Sequence, residues 1–239
     1  MKVINPSGDW DSIPLNGVLR TKAEADRSIA LTKAFGLPLH VDPVKNWDSL
    51  AAWSVITRFS AGKKRARILD AGGEFYSVIL RQLQQTGFTD LTCINLVFNT
   101  SVVKGGIRFQ FGDITATNFQ KNKFDAIACL SVIEHGVDPG HYFKEMSRIL
   151  KPGGILFTST DYWTTPIDTF GQEAYGVPIR IFDRTEVNEM ISLASDCELE
   201  LMGELDLNCR RKVVSWKQFN LDYTFLYFTM RKRNLKFEV

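Results

Sequence analysis

The chain has 239 residues, 44% hydrophobic and 23% charged, the proportions of a folded globular domain and not of a disordered or fibrous chain. At that length folding buries roughly 70–75% of the unfolded surface, so no disulfide or metal staple is needed. Lys+Arg 29 against Asp+Glu 27 leaves +2, a balance that gives no ground for a polyanionic partner such as nucleic acid or an acidic membrane.

Four cysteines (Cys93, Cys129, Cys197 and Cys209) form no CxxC pair and are accompanied by three histidines, which argues against a zinc site. Cys93 and Cys129 sit in apolar runs and read as small buried hydrophobes. This usage fits a reducing compartment. The segment Met1 to Pro14 carries Asn, Pro, Gly and Asp where a signal peptide needs an apolar stretch. No run reaches the ~18 apolar residues of a membrane span. The expectation is a soluble cytoplasmic protein with no membrane partner.

In chain order, residues 1–20 contain Pro6, Gly8, Pro14 and Gly17 and read as irregular. A helix is predicted over 21–36, closed by Gly36 and Pro38, and a second over 48–60 with Asp48 as its cap. A short basic linker, 62–65, follows. From Arg67 strands and helices alternate. Strands are predicted at 68–70, 91–97, 107–111, 124–131 and 155–160, and helices at 75–85, 138–150 and 183–194. Asp138-Pro139 is a cap and first-turn pair, and Lys151-Pro152-Gly153-Gly154 is a stop. A polar and aromatic loop spans 161–180, and two final strands are predicted at 198–205 and 222–231. The alternation predicts an α/β sheet with helices on both faces. Ligands of such sheets bind beyond the carboxyl ends of the strands.

Four constellations occupy those ends. Asp70-Ala71-Gly72-Gly73-Glu74 follows the first strand, where glycines let a ligand approach the backbone and the next helix offers free N–H groups. It is neither a Walker A loop nor GxGxxG, and a plain strand-to-helix turn would also hold glycines. Asn95 ends the next strand, where an acid in nucleotide-binding folds meets ribose hydroxyls; a solvated loop amide is the plainer alternative. Gly112-Asp113-Ile114 offers an acceptor for an exocyclic adenine amine with an apolar neighbour for the ring, or else a surface turn. Ser131-Val132-Ile133-Glu134-His135 places an acid and a histidine at the mouth of the sheet.

Taken in this order the segments resemble the class I S-adenosylmethionine-dependent methyltransferases, and within them the small-molecule type 11 group. The resemblance covers residues 66–231 and rests most on FDAIACLSVIEHGVD (124–138) and EMSRILKPGGILFTST (145–160). It implies a Rossmann-like seven-stranded sheet of order 3-2-1-4-5-7-6, the seventh strand antiparallel and formed by 222–231. The domain would span 63–239, and residues 1–62 would be a helical extension or lid. The implied cofactor, S-adenosylmethionine, would lie on Asp70, Gly72, Gly73, Asn95, Asp113, Ile114 and Ser131. Two departures stand out: Glu74 and Tyr76 replace later glycines of the family's first loop, and Asn95 replaces its usual acid.

The implied reaction is methyl transfer from a sulfonium to an O or N nucleophile of a small molecule. Alignment of the reactants supplies ~7–11 kcal/mol of such a barrier, and a general base adds ~10²–10⁴-fold. His135 is the candidate base, and Glu74 is a candidate for facing the methionine ammonium. Trp10, Trp47, Trp53 and the stretch from Tyr162 through Tyr175 to Arg180 are candidates for a lid over the acceptor, or for packing that lid down. A second class of function is a methyltransferase-like module that binds without catalysing. A third, nucleic-acid modification, has only the short basic clusters 63–67, 210–212 and 231–236 in its favour.

Overall fold

The computed structural model describes residues 9–60, 62, 63 and 65–234, residues 9 and 10 by their backbone alone. Lys64, Lys236 and the Trp10 side chain, all singled out above, lie outside the described atoms. After a 3-10 turn at Asp9–Ser12 come β1 (Gly17–Val18), α1 (Lys22–Ala34), α2 (Asn46–Phe59), β2 (Arg67–Ala71), α3 (Ile79–Gln85), β3 (Asp90–Asn95), β4 (Val102–Lys104) and β5 (Ile107–Phe111). They are followed by β6 (Phe124–Leu130), α4 (Pro139–Ile149), β7 (Leu150–Tyr162), β8 (Glu173–Ala174), β9 (Val177–Pro178) and α5 (Arg184–Asp196). The chain closes with β10 (Leu199–Leu201), β11 (Val214–Trp216) and β12 (Leu221–Lys232).

The sheet runs β5-β3-β2-β6-β7-β12-β10, with β2, β3, β5, β6 and β7 parallel and β12 antiparallel to β7 and to β10. Counted through these seven strands, the order is 3-2-1-4-5-7-6. β4 adds an antiparallel hairpin at one edge, and β1 and β11 add pairs along β12.

Strand residues alternate between two cores, as a period of two requires. Leu69, Ile127 and Leu156 pack with α4 and α5; Ile68, Ala126 and Phe157 pack with α2 and α3. Trp53 of α2 is fully buried, its ring 5.5 Å from Phe35, so it packs the helix onto the sheet and lines no site. At the far end of β12, the Lys232 ammonium donates to the carbonyls of Ser147 and Leu150, at 2.7 and 2.9 Å, and ties off α4.

Local signals placed most elements to within a few residues. Thr21 and Asp183 form capping boxes with Glu24 and Glu186, and Asp138 caps α4. Four expectations are corrected. Residues 17–18 are not irregular but pair with β12. Asp48 is not a cap: α2 begins at Asn46 behind Lys45, and Asp48 lies buried in its first turn. The helix expected from 75 begins at Ile79, because Glu74–Ser77 closes a turn first. β7 begins at Leu150, since the Pro-Gly-Gly stop is absorbed as a register shift against β6. The 161–180 loop contains the β8–β9 hairpin. No described helix is long and apolar enough to cross a membrane.

Candidate functional site

The eight residues singled out at the strand ends line one cavity of about 750 Å³, beyond the carboxyl ends of β2, β3, β5 and β6. That volume falls in the range of small-ligand sites, about 300–1,000 Å³. The cavity is divided chemically into a glycine-loop side and an aromatic side.

On the first side, β2 ends in Asp70, 2% exposed, and the chain then turns through Gly72 at φ +93°. A Cβ at Gly72 would stand 2.6 Å from both Val132 methyls, and one at Gly73 would stand 2.0 Å from Asp70 Oδ2. No side chain fits either position, and this is the reason for the glycine pair. Burial raises the Asp70 carboxyl to about 7. Asn95 points back into this loop: its amide donates to the carbonyls of Gly72 and Gly73, at 2.7 and 3.2 Å, and its oxygen accepts from Val97 N–H at 3.1 Å. It ties the loop down with the groups assigned above to ribose. Asp113 Oδ1 accepts from the backbone and hydroxyl of Thr115, at 2.8 and 2.6 Å, while Ile114 is buried beside it. Glu74 N–H donates to Ser77 Oγ at 2.8 Å, and the turn swings Tyr76 outward to 53% exposure. Of the two side chains that replace family glycines, Tyr76 therefore stands exposed at the rim of the loop and Glu74 is half-buried.

On the other side, Ser131 takes a left-handed conformation, φ +51°, which orients its hydroxyl toward the cavity's lysine. Its N–H donates to Ser159 O at 3.1 Å, and its Oγ accepts from Lys45 Nζ. Lys45 also lies 3.8 Å from the centre of the Phe225 ring. Behind it stand three buried acids. Asp48 Oδ2 accepts from Ser159 Oγ at 2.7 Å, and Glu134 Oε2 accepts from Thr160 Oγ1 at 3.0 Å. Asp161 lies beside Glu134 and Tyr223. Burial raises the Asp48 carboxyl, with Lys45 opposing; burial and then Glu134 raise Asp161 well above the usual range.

Glu134 thus faces inward, while His135 next to it is half-buried at the mouth, its ring edge-on to Tyr175 at 5.1 Å. Trp47 and Trp163 pack into the apolar cluster that carries Tyr223 and Phe225 and roofs this half. Sequence reasoning passed over Lys45, Asp161 and Tyr223. A charged residue inside an apolar helix, as at Asp48, and an acid closing a buried strand, as at Asp161, were the available signals. Among the described residues no three His, Cys, Asp or Glu gather so as to hold a metal ion.

The cavity suits a cationic nucleoside. A buried carboxyl stands beneath the glycine turn, and of the charged lining residues seven are acids and one is a lysine.

Residues 69–158 match the sequence model of the methyltransferase-domain family. Among curated proteins, the chain is 29% identical over 121 residues to a tRNA U34 carboxymethyltransferase of Nautilia profundicola, covering 48% of this chain and 40% of that one. It is 28% identical over 130 residues to a ubiquinone biosynthesis O-methyltransferase of Pseudomonas putida, covering 52% and 53%. The matched stretch thus spans about half the length of these relatives. An S-adenosylmethionine-dependent methyltransferase of Mesorhizobium loti shares the fold, with a TM-score of 0.54 at 15% identity, over 77% of this chain and 98% of that one. The order of strands, the glycine turn after β2 and the matched segment agree: residues 69–158 match the methyltransferase-domain family, on a fold shared with class I S-adenosylmethionine-dependent methyltransferases.

Proposed function

We propose that the protein transfers a methyl group from S-adenosylmethionine to an O or N atom of a small molecule held in the aromatic half of the cavity. The observation that carries this reading is the convergence of Asp70, Gly72, Gly73, Asn95, Asp113, Ile114, Ser131 and His135 on one cavity. S-adenosylmethionine, when bound, supplies a methyl on a sulfonium leaving group. The chain's own part is to hold, align and exclude water. Gly72 and Gly73 admit the nucleoside to the backbone, Asp113 and Ile114 offer an acceptor and an apolar face to the base, and Asp70 offers a carboxyl beneath the loop. Phe225, Tyr223 and Trp216 wall the acceptor side. Residues of the segment 1–62, Lys45 and Asp48 among them, close that side as a cover. Titration calorimetry with S-adenosylmethionine and S-adenosylhomocysteine tests the reading, and a saturating titration with neither heat nor thermal shift would reject it.

Asp113→Ala is expected to weaken S-adenosylhomocysteine binding by about 1–3 kcal/mol, the cost of a lost polar partner in a buried site. Unchanged affinity in the folded variant would return Asp113 to the role of a turn residue for Thr115.

His135 stands at the mouth and is assigned the acceptor's proton. His135→Asn is expected to lower turnover by about 10²-fold while leaving S-adenosylhomocysteine affinity within a factor of a few. Equal loss of both would make His135 a structural part of its loop, and full activity would leave alignment alone as the source of rate.

A second reading, a module that binds without catalysing, is favoured by one observation: the Asn95 amide is committed to Gly72 and Gly73. It predicts S-adenosylhomocysteine binding with no methyl transfer to any acceptor. Salt-dependent binding of RNA would move the acceptor to nucleic acid.

A further inference from the structure

We propose that Lys45 and Asp48 are positioning residues: acting through Ser131 and Ser159, the start of α2 latches the turn after β6 that sets Val132 against the glycine loop and His135 at the mouth. This rests on the methyl-transfer reading above and gives two residues of the 1–62 segment a part in its site.

The turn needs holding. Ser131, the first residue past β6, stands at φ +51°, a left-handed conformation that strains an L side chain. Strain of this kind persists only where the surroundings impose it. The chain then folds back through Val132–His135, closed by a bond of 3.0 Å from His135 N–H to Val132 O. Val132 meets the glycine loop, its two methyls 2.6 Å from the point a Cβ would take at Gly72. One left-handed residue therefore places both a wall of the glycine-loop side and the candidate base.

Two sets of bonds hold Ser131, and both lead to α2. Ser131 Oγ accepts from Lys45 Nζ. Ser131 N–H is shared between the carbonyl and the hydroxyl of Ser159, at 3.1 Å each. Ser159 Oγ gives its own proton to Asp48 Oδ2 at 2.7 Å, which leaves its lone pairs for Ser131 N–H. Asp48 and Ser159 are both 0% exposed, so bulk water does not replace either partner. Lys45 and Asp48 stand three positions apart and share a face of the helix, which lets one turn grip Ser131 from two directions.

The lysine is itself fixed. Asn46, 1% exposed, accepts from His40 N–H at 2.9 Å and donates to the carbonyls of His40, Asp42 and Pro43 at 3.3, 3.3 and 3.0 Å, which sets the loop that delivers Lys45. Lys45 Nζ lies 3.8 Å from the centre of the Phe225 ring, and Asp48 and Asp161 face its charge.

The test is calorimetry on the full chain with S-adenosylhomocysteine, which lacks the sulfonium, so loss of the Lys45 charge does not by itself tighten binding. Lys45→Met and Asp48→Ala are each expected to weaken binding by about tenfold or more. Lys45→Met should add less than about twofold to the loss in Ser131→Ala, and Asp48→Ala less than about twofold to the loss in Ser159→Ala, because each acts through that one partner. Asp48→Asn, whose amide oxygen still accepts from Ser159, should stay within about threefold of the parent. Hydrogen exchange of the free protein is the second measurement: relative to the amides of β2, those of Ser131 and His135 should exchange about tenfold faster in Lys45→Met and in Asp48→Ala. Lys45 is half-buried and Met is close to it in length, so the proposal stays testable if Asp48→Ala fails to fold. Parental affinity in the folded variants, additive losses in both pairs, or exchange that rises equally in β2 would overturn it. Faster exchange at Ser131 and His135 in a protein that binds no S-adenosylhomocysteine would uphold the latch and reject the methyl-transfer reading.

Discussion

Gly72→Ala is expected to cost about 2–5 kcal/mol of stability and to abolish S-adenosylhomocysteine binding. Two separate physical terms make up that figure. Gly72 sits at φ +93°, where an L side chain is strained by about 1–2 kcal/mol. The added methyl would also stand 2.6 Å from both Cγ atoms of Val132, and overpacking of this kind costs about 1–3 kcal/mol. The two terms can be pulled apart. Val132→Ala removes the two methyl contacts, keeps its Cβ 3.1 Å away and leaves the strain, so the double variant should recover most of the packing share and none of the backbone share. Urea unfolding of the four proteins in the cycle gives the coupling energy directly. Additive losses would mean that the loop has moved away from Val132. Binding should not return in the double variant, because the strained turn no longer presents its backbone as before.

The second large effect is a pH dependence centred on Asp70. Burial raises this carboxyl to about 7, against about 3.9 in an unfolded chain. The sign follows from proton counting. Between these two values the folded chain holds a proton that the unfolded chain has released, so stability falls as pH rises from about 4 to 7 and then levels off. A difference of about three pKa units amounts to about 4 kcal/mol lost by pH 8. Asp70→Asn removes the ionisation. The variant should match the parent near pH 4, exceed it at pH 8, and lack this part of the slope between. Denaturant unfolding across that range checks it, and parallel curves for parent and variant would show that Asp70 is solvated in the folded state. The same substitution should weaken S-adenosylmethionine binding, since the carboxyl that destabilises the free protein lies beneath the glycine loop where the cationic cofactor is proposed to sit. Cys93, with its Sγ 4.0 Å from Asp70 Oδ2, is too weak a donor to offset the burial.

Local chemistry in the sequence determined the strands and most helix ends. The runs at 68–70 and 124–130 are apolar because both faces of a central strand are covered, and Asp138-Pro139 and Asp183 start helices for reasons confined to one turn. Position relative to those runs was enough to bring eight residues to the mouth of the sheet. Only the tertiary structure decided what each does there. Asp48 read as a cap because nothing within a turn of it shows that Ser159, 111 residues away, would meet its carboxylate. The approach of Glu134 to Asp161 requires β6 and β7 to lie side by side, and Lys45 enters the cavity only because α2 packs across the sheet. Asn95 turned inward to Gly72, on a neighbouring strand's loop, by a bond that spans 23 residues. Hydrophobic period and caps are set by residues a few positions apart, whereas the partners of a buried charge are set by which strands become neighbours.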